Sequence, residues 1–170
     1  MKIIFLDIDG VFVTHKSIDR FHNGKQFGPE NVKEFNRIIR RTGAKIVVSS
    51  VWRLYNSFEG LVAELRSNGL EGTFIGTTPR IPAASAVRGL EIQAWMDRWK
   101  RIWRAKKDTI ESFVILDDDS DMHHLMPRLV KTTFAEGLTQ KEGDRVIQML
   151  GVRRPSTTRP SRTSSRSRRA

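Results

Sequence analysis

Residues 2–10 of the chain read Lys-Ile-Ile-Phe-Leu-Asp-Ile-Asp-Gly, and this stretch decides the fold. After the lysine, residues 3–6 are continuously apolar, which is typical of a strand buried on both faces of a parallel sheet. Two acids, Asp7 and Asp9, follow at once, and Gly10 lets the chain turn sharply after them. In an open α/β sheet, ligands bind beyond the carboxyl ends of the strands. The stretch therefore predicts a buried strand that ends in a polar site.

The rest of the chain repeats this alternation of apolar runs and helical patterns. Further strands are predicted at 45–48, 73–75, 113–116 and 129–133, and helices at 29–41, 58–67, 88–107 and 141–150. Strands that alternate with helices indicate the α/β class. We expect a Rossmann-like three-layer sandwich with a mostly parallel sheet of about five strands.

Composition excludes several classes of protein. The 170 residues contain no cysteine, which excludes thiol nucleophiles, cysteine-ligated metals and a disulfide scaffold. No apolar run approaches the roughly 20 residues of a membrane span. Asp7 and Asp9 interrupt the first apolar run, so it cannot form the core of a signal peptide. We expect an intracellular, cytoplasmic protein.

The net charge of +11 is unevenly distributed. Residues 151–170 hold seven arginines and no acid, so residues 1–150 carry 23 basic residues against 19 acids, a net charge of +4. The last twenty residues have too few apolar side chains to offset the entropy cost of ordering. We expect a folded domain over 1–150 and a disordered Arg/Ser-rich tail over 151–170. The tail is predicted to bind polyanions, or to serve solubility, localisation or attraction to a membrane surface.

Polar side chains follow two more of the predicted strands. The second strand ends in Ser-Ser-Val-Trp-Arg at 49–53, and the fourth ends in Asp-Asp-Asp-Ser-Asp at 117–121. Acids at two strand ends that meet at one edge of the sheet repel each other unless a cation lies between them, which indicates a hard metal such as Mg²⁺. In the Asp7–Asp9 pair, one carboxylate can attack phosphorus while the other shuttles a proton to the leaving oxygen.

These strand ends resemble the motifs of the haloacid dehalogenase (HAD) superfamily. Residues 5–11 are similar to its first motif, residues 47–49 to its second, and residues 115–118, with an acid at 121, to its fourth. Residues 49–53, 76–79, 88–92 and 116–119 are similar, more narrowly, to the small HAD domains associated with RNA-repair proteins. The resemblance covers about residues 1 to 150.

The resemblance implies a role for each residue of the first two motifs. Asp7 would be the nucleophile that forms an aspartyl-phosphate, and Gly10 would lie beside the substrate. Asp9 would be the general acid and base, and both acids would belong to the metal site, Asp9 through its backbone carbonyl. Ser49 would hydrogen-bond the phosphoryl oxygens with help from Ser50.

The resemblance also implies a metal site and a basic residue. Asp117 would complete the Mg²⁺ site, with Asp118 or Asp121 as its acidic partner. The third motif requires a lysine or arginine that neutralises the phosphoryl group. Arg88 is the predicted choice because it begins the helix that leads to the fourth motif. The alternatives for that role are Arg53 and Arg80, which are also predicted to bind substrate.

The spacing of the motifs leaves no room for a folded cap domain, either between residues 10 and 45 or between 51 and 87. By analogy, a capless site suits a large substrate. We therefore expect a Mg²⁺-dependent phosphomonoester hydrolase acting on phosphorylated nucleic-acid ends or nucleotides. The alternatives are a phosphatase of a small metabolite or a phosphoprotein, and a non-catalytic nucleic-acid-binding protein with the same fold.

Overall fold

The computed structural model describes residues 1–21, 27–82, 87–102 and 109–151. Strands and helices alternate along them as the sequence predicts. The strands are β1 (Lys2–Leu6), β2 (Lys45–Val48), β3 (Thr73–Thr77), β4 (Ser112–Asp117) and β5 (Leu129–Lys131). The helices are α1 (His15–Phe21), α2 (Pro29–Thr42), α3 (Phe58–Ser67), α4 (Arg88–Ile102) and α5 (Gln140–Met149), with short 3₁₀ turns at Val51–Leu54 and His123–Arg128.

The five strands form one sheet in the order β3-β2-β1-β4-β5. Every pairing in it is parallel. β1 lies at the centre, between β2 and β4, so the acids that follow β1 are flanked by the ends of both neighbours. The predicted α/β fold with a parallel five-stranded sheet is confirmed.

Helices cover both faces of the sheet and create two apolar cores. The first core lies beneath α2, α3 and α5 and includes Phe35, Leu61 and Val146. The second lies beneath α4 and includes Ile92 and Trp95. Successive strand residues point alternately into one core and the other. Both faces are therefore apolar, which explains the continuously apolar strands in the sequence.

Element boundaries agree with the sequence except at a few ends. β5 is shorter than predicted and ends at Lys131; the backbone N–H of the next residue, Thr132, still donates to the carbonyl of Asp117 at 2.9 Å, and its hydroxyl donates to the carbonyl of Gly10 at 2.7 Å. The predicted helix at 88–107 is described only as far as Ile102. Helix α1 was not predicted; the Thr14 hydroxyl accepts from the backbone N–H of Ser17 and so caps its start.

The described residues between β1 and β2 form only α1 and α2, and those between β2 and β3 form only a 3₁₀ turn and α3. In the described part of the chain there is thus no folded cap domain. The predicted tail lies outside the described residues, apart from Gly151. None of the described helices is long and apolar enough to cross a membrane.

Candidate active site

Three polar residues form a row across the centre of the sheet at its carboxyl edge. Leu6 of β1 is in register with Val48 of β2 and with Leu116 of β4. The next residue of each strand is Asp7, Ser49 and Asp117, respectively. Paired residues of parallel strands point to the same face, and the preceding leucines and valine pack into the first core. The row therefore faces the side of the sheet that α4 covers.

Arg88, the first residue of α4, joins the three members of this row. Its Nη1 atom lies 3.1 Å from Oδ1 of Asp7 and 3.4 Å from Oδ2 of Asp117. The same atom donates a hydrogen bond to the backbone carbonyl of Ser49 at 2.7 Å. Only 12% of the Arg88 side chain is exposed, so its charge acts on the two carboxylates with little screening by water. Of the three arginines considered for the third motif, Arg88 is the one that contacts Asp7.

Asp118 brings a third carboxylate to the row. One oxygen from each of Asp7, Asp117 and Asp118 lies within 4.8 Å of the others. Gly10 allows this approach, since a Cβ atom at Gly10 would lie 2.1 Å from Cγ of Asp118. Gly10 also has a φ of +68°, which favours glycine. Its contribution is to admit Asp118, and a contact between Gly10 and substrate stays a prediction.

The carboxylate cluster fits a divalent cation. Oδ2 of Asp117 is fully buried, and among the described residues it has no hydrogen-bond partner, only the ion pair with Arg88. A buried carboxyl oxygen without a hydrogen bond is costly, and a bound cation would remove that cost. Three carboxylate oxygens are the hard ligands that Mg²⁺ prefers. Asp7, Asp117 and Asp118 are thus the residues that would hold the metal.

Asp121, the alternative partner of Asp117, has a different position. Its carboxylate accepts a hydrogen bond from the backbone N–H of Arg88 at 3.0 Å, and its carbonyl accepts one from Gly89. Asp121 therefore anchors the first turn of α4, on which Arg88 stands. Between the two alternatives, the geometry favours Asp118 as the acidic partner of Asp117.

Asp9 points toward the 3₁₀ turn after β2. Its carboxylate accepts a hydrogen bond from Nε1 of Trp52 at 2.9 Å. Burial raises the pKa of Asp9 above its ordinary value, although the Trp52 hydrogen bond opposes the shift. A carboxyl group with a raised pKa holds a proton more readily, as a general acid requires. Trp52 lies within the motif at 49–53, and its hydrogen bond to Asp9 is not predictable from the sequence.

The pKa of Asp117 is raised to about 8, first by burial and then by the charge of Asp7, which together outweigh the opposing effect of Arg88. In the metal-free protein the folded state therefore keeps a proton that the unfolded chain releases near its ordinary pKa of 3.8. It follows that folding stability falls as the pH rises from about 4 toward 8.

We expect Asp117→Asn to flatten this pH dependence, because asparagine does not titrate. The free energy of unfolding, measured by urea denaturation in excess EDTA at about pH 5 and about pH 8, tests the expectation. The variant should lose less stability than the wild type between the two pH values. Equal losses in both proteins would contradict the assignment of the titration to Asp117.

Arg53 is buried, with only 4% of its side chain exposed, and all of its nitrogens bond to the protein. Nη1 donates to the carbonyls of Ser49 and Ser50, both at 2.7 Å, and Nε donates to the carbonyl of Thr78 at 3.0 Å. Nη2 pairs with the carboxylate of Glu91 on α4. These contacts use four of the five N–H groups of Arg53. We propose that Arg53 positions the strand ends, and the substrate contact expected from the sequence stays a prediction.

The two remaining predicted substrate contacts differ in exposure. The Ser50 hydroxyl is buried and accepts from the backbone N–H of Trp52 at 3.4 Å, which caps the 3₁₀ turn. Arg80 is exposed in the segment after β3, and with the residues that the structure describes it makes no hydrogen bond or ion pair. Arg80 is therefore free to reach a substrate, and this role stays a prediction.

The sheet order, the Asp-Ile-Asp-Gly turn after the central strand and the acids after β4 define the α/β fold class of HAD domains. A family model described as the HAD domain in Swiss Army Knife RNA repair proteins matches residues 3–142. The chain belongs to this family. No curated protein and no solved structure matches it.

Proposed function

We propose that the protein is a Mg²⁺-dependent phosphomonoester hydrolase that works through an aspartyl-phosphate on Asp7. The observation that carries the proposal is the contact of a buried cation, Arg88, with Asp7 at the point where three carboxylates converge. Membership in the HAD family of RNA-repair proteins supports a phosphatase-type hydrolase in that setting. Bound Mg²⁺ would supply charge that offsets the negative charge of the phosphoryl group.

The chain's own residues account for both halves of the reaction. In the first, an oxygen of Asp7 bonds to phosphorus while the ester P–O bond breaks, and Asp9 gives its proton to the leaving oxygen. In the second, Asp9 takes a proton from water as that water attacks phosphorus, which releases phosphate and frees Asp7. Arg88 neutralises charge on Asp7 and on the phosphoryl oxygens throughout. Ser49 would donate its hydroxyl, which is buried and makes no hydrogen bond to the described residues.

The proposed substrate is the phosphorylated end of a nucleic acid, or a nucleotide. The end of a nucleic acid can reach the acids directly, because the described residues form no cap domain over the sheet edge. The basic character of the chain, +11 in all, favours a polyanion. The predicted arginine tail would add to this attraction.

A phosphate-release panel tests the proposal. The purified full-length chain is incubated in Mg²⁺ with an aryl phosphate, with RNA and DNA carrying 5′- or 3′-phosphate, with nucleotides, and with phosphopeptides. Preferential release from nucleic-acid ends or nucleotides is expected. Preference for phosphopeptides or small metabolites would change the substrate class, and no release from any substrate would overturn the proposed activity.

Removal of the metal should abolish turnover. We expect excess EDTA to stop phosphate release and added Mg²⁺ or Mn²⁺ to restore it, because the acids repel one another without a cation. Mg²⁺ should also raise the melting temperature of the wild type, and Asp117→Ala should remove most of that increase. Full activity in EDTA would contradict a metal-dependent mechanism.

A further inference from the structure

The row of site residues continues onto β3, beyond the residues for which the sequence predicts a role. In β2, Val47 is in register with Gly76 and Val48 with Thr77, so Thr78 lies beside Ser49. The backbone N–H of Thr78 donates to the carbonyl of Val48 at 3.0 Å, which continues the parallel ladder at this end. Four neighbouring strands thus end, from one side to the other, in Thr78, Ser49, Asp7 and Asp117.

A β-bulge in β3 places Thr78 beside Ser49. Ile46 is in register with Phe74, but the next residue, Val47, is in register with Gly76, so β3 contains one extra residue. Bulges of this kind re-aim side chains next to functional sites. Without the extra residue, Thr77 would lie beside Ser49. Gly76 has a φ of +155°, and a Cβ atom there would lie 3.5 Å from Nε1 of Trp95 on α4.

The direction in which a Cβ atom at Gly76 would point indicates which threonine faces the site. Because the Cβ direction at Gly76 points toward α4, alternation along the strand turns Thr77 to the opposite face and Thr78 back toward α4. Thr78 therefore shares the face of Ser49 and Asp7. Arg53 holds the arrangement, since its guanidinium binds the backbone carbonyls of both Ser49 and Thr78.

The hydroxyls of Ser49 and Thr78 also share an unusual environment. Both oxygens are fully buried, and neither has a hydrogen-bond partner in the part of the chain that the structure describes. Buried hydroxyls normally make hydrogen bonds, and an unpaired one destabilises the fold. Two such hydroxyls at neighbouring strand ends, next in the row to Asp7, form a pair of donors without an acceptor among the described residues.

We propose that Thr78 is a second phosphate-binding residue and that its hydroxyl, with that of Ser49, binds oxygens of the substrate's phosphoryl group. Neighbouring strands lie about 4.8 Å apart, a spacing at which two hydroxyls can donate to different oxygens of one phosphate. The proposal rests on the phosphatase function proposed above. It extends the phosphate site from the central strands to β3, where Thr78 helps to hold the group that Asp7 attacks.

Three substitutions test this assignment. Thr78→Val removes the hydroxyl and keeps the shape of the side chain, Thr78→Ser keeps the hydroxyl, and Thr77→Val makes the same change on the other face of β3. We expect Thr78→Val to lower kcat/KM for p-nitrophenyl phosphate by about 10- to 100-fold, as loss of a hydrogen bond to a charged group does. Thr78→Ser and Thr77→Val should stay within about threefold of the wild type.

Two further measurements separate binding from folding and from the proposed activity. The affinity for inorganic phosphate in Mg²⁺, measured by calorimetry, should fall in Thr78→Val and persist in Thr78→Ser. The melting temperature of Thr78→Val should not fall, because the lost hydroxyl bonds to nothing in the described protein. If the wild type binds inorganic phosphate but releases none from any substrate, the proposed phosphatase function is wrong. The phosphate affinities of the variants then still decide whether Thr78 binds phosphate. Phosphate binding by Thr78→Val within about twofold of wild type, or no binding by the wild type, would overturn the assignment.

Discussion

Asp7→Asn is expected to reduce phosphate release to background while the protein stays folded. The amide cannot attack phosphorus to form the aspartyl-phosphate, so the loss should exceed the roughly 10²–10⁴-fold effect expected for Asp9→Asn, which removes only general acid–base catalysis. Asp7 lies beside Asp117 and Asp118, whose pKa values are raised first by burial and then by the charge of Asp7. Neutralising Asp7 relieves that repulsion, although it also removes the ion pair with Arg88.

The measurement is steady-state hydrolysis of an aryl phosphate in Mg²⁺, with a melting curve for each protein. Asp97→Asn is the matched control, because Asp97 lies on α4 with 59% of its side chain exposed and belongs to no part of the proposed site. The control should hydrolyse at the wild-type rate. Turnover by Asp7→Asn within about tenfold of wild type would contradict the aspartyl-phosphate mechanism.

Glu91→Gln is expected to lower the free energy of unfolding more than any other substitution proposed for this protein. Glu91 and Arg53 form an ion pair with 10% and 4% of their side chains exposed. Neutralising one partner leaves the other as a buried, uncompensated charge, which typically costs about 3–5 kcal/mol. The substitution also loosens the link between α4, which carries Arg88, and the ends of β2 and β3. Chemical denaturation measures the loss, and activity should decline with it.

The ion pair between Arg40 and Glu71 provides a control of the same type. It also joins an arginine to a glutamate, at 2.8 Å, but the two side chains are 58% and 49% exposed. Because exposed pairs contribute little, Glu71→Gln should cost less than about 1 kcal/mol. An equal loss of unfolding free energy in the two variants would contradict the view that the ion pair between Arg53 and Glu91 stabilises the site.

The central part of the site follows from the sequence because it depends on local order along three strands. A continuously apolar run that ends in Asp7, Ser49 or Asp117 specifies a buried strand and the residue at its end. Neighbouring parallel strands bring those ends to one edge, so their proximity could be predicted without distances. The hard metal expected between the acids follows from the same reasoning, whereas the individual ligands proposed for it and the choice of Arg88 follow from the resemblance to the family's motifs.

The roles of Arg53, Asp121 and Thr78 could not be derived in this way, since each depends on contacts between distant segments. Arg53 is predicted from sequence to bind substrate, and only the structure reveals that most of its donors bond within the protein, among them the one that pairs with Glu91, 38 positions away. Asp121 is one acid among several until its hydrogen bond to the start of α4 distinguishes it.

The sequence by itself determined the order of the five strands and of helices α2 to α5, the acids at the strand ends and the family, because hydrophobic periodicity and short motifs are local properties of the chain. The tertiary structure decided which arginine contacts Asp7, which acid joins Asp117 and which threonine lies beside Ser49. The last of these depends on a single extra residue in β3. A shift of one residue in register reverses the face to which each following side chain points, and pairing between strands, which is non-local, sets that register.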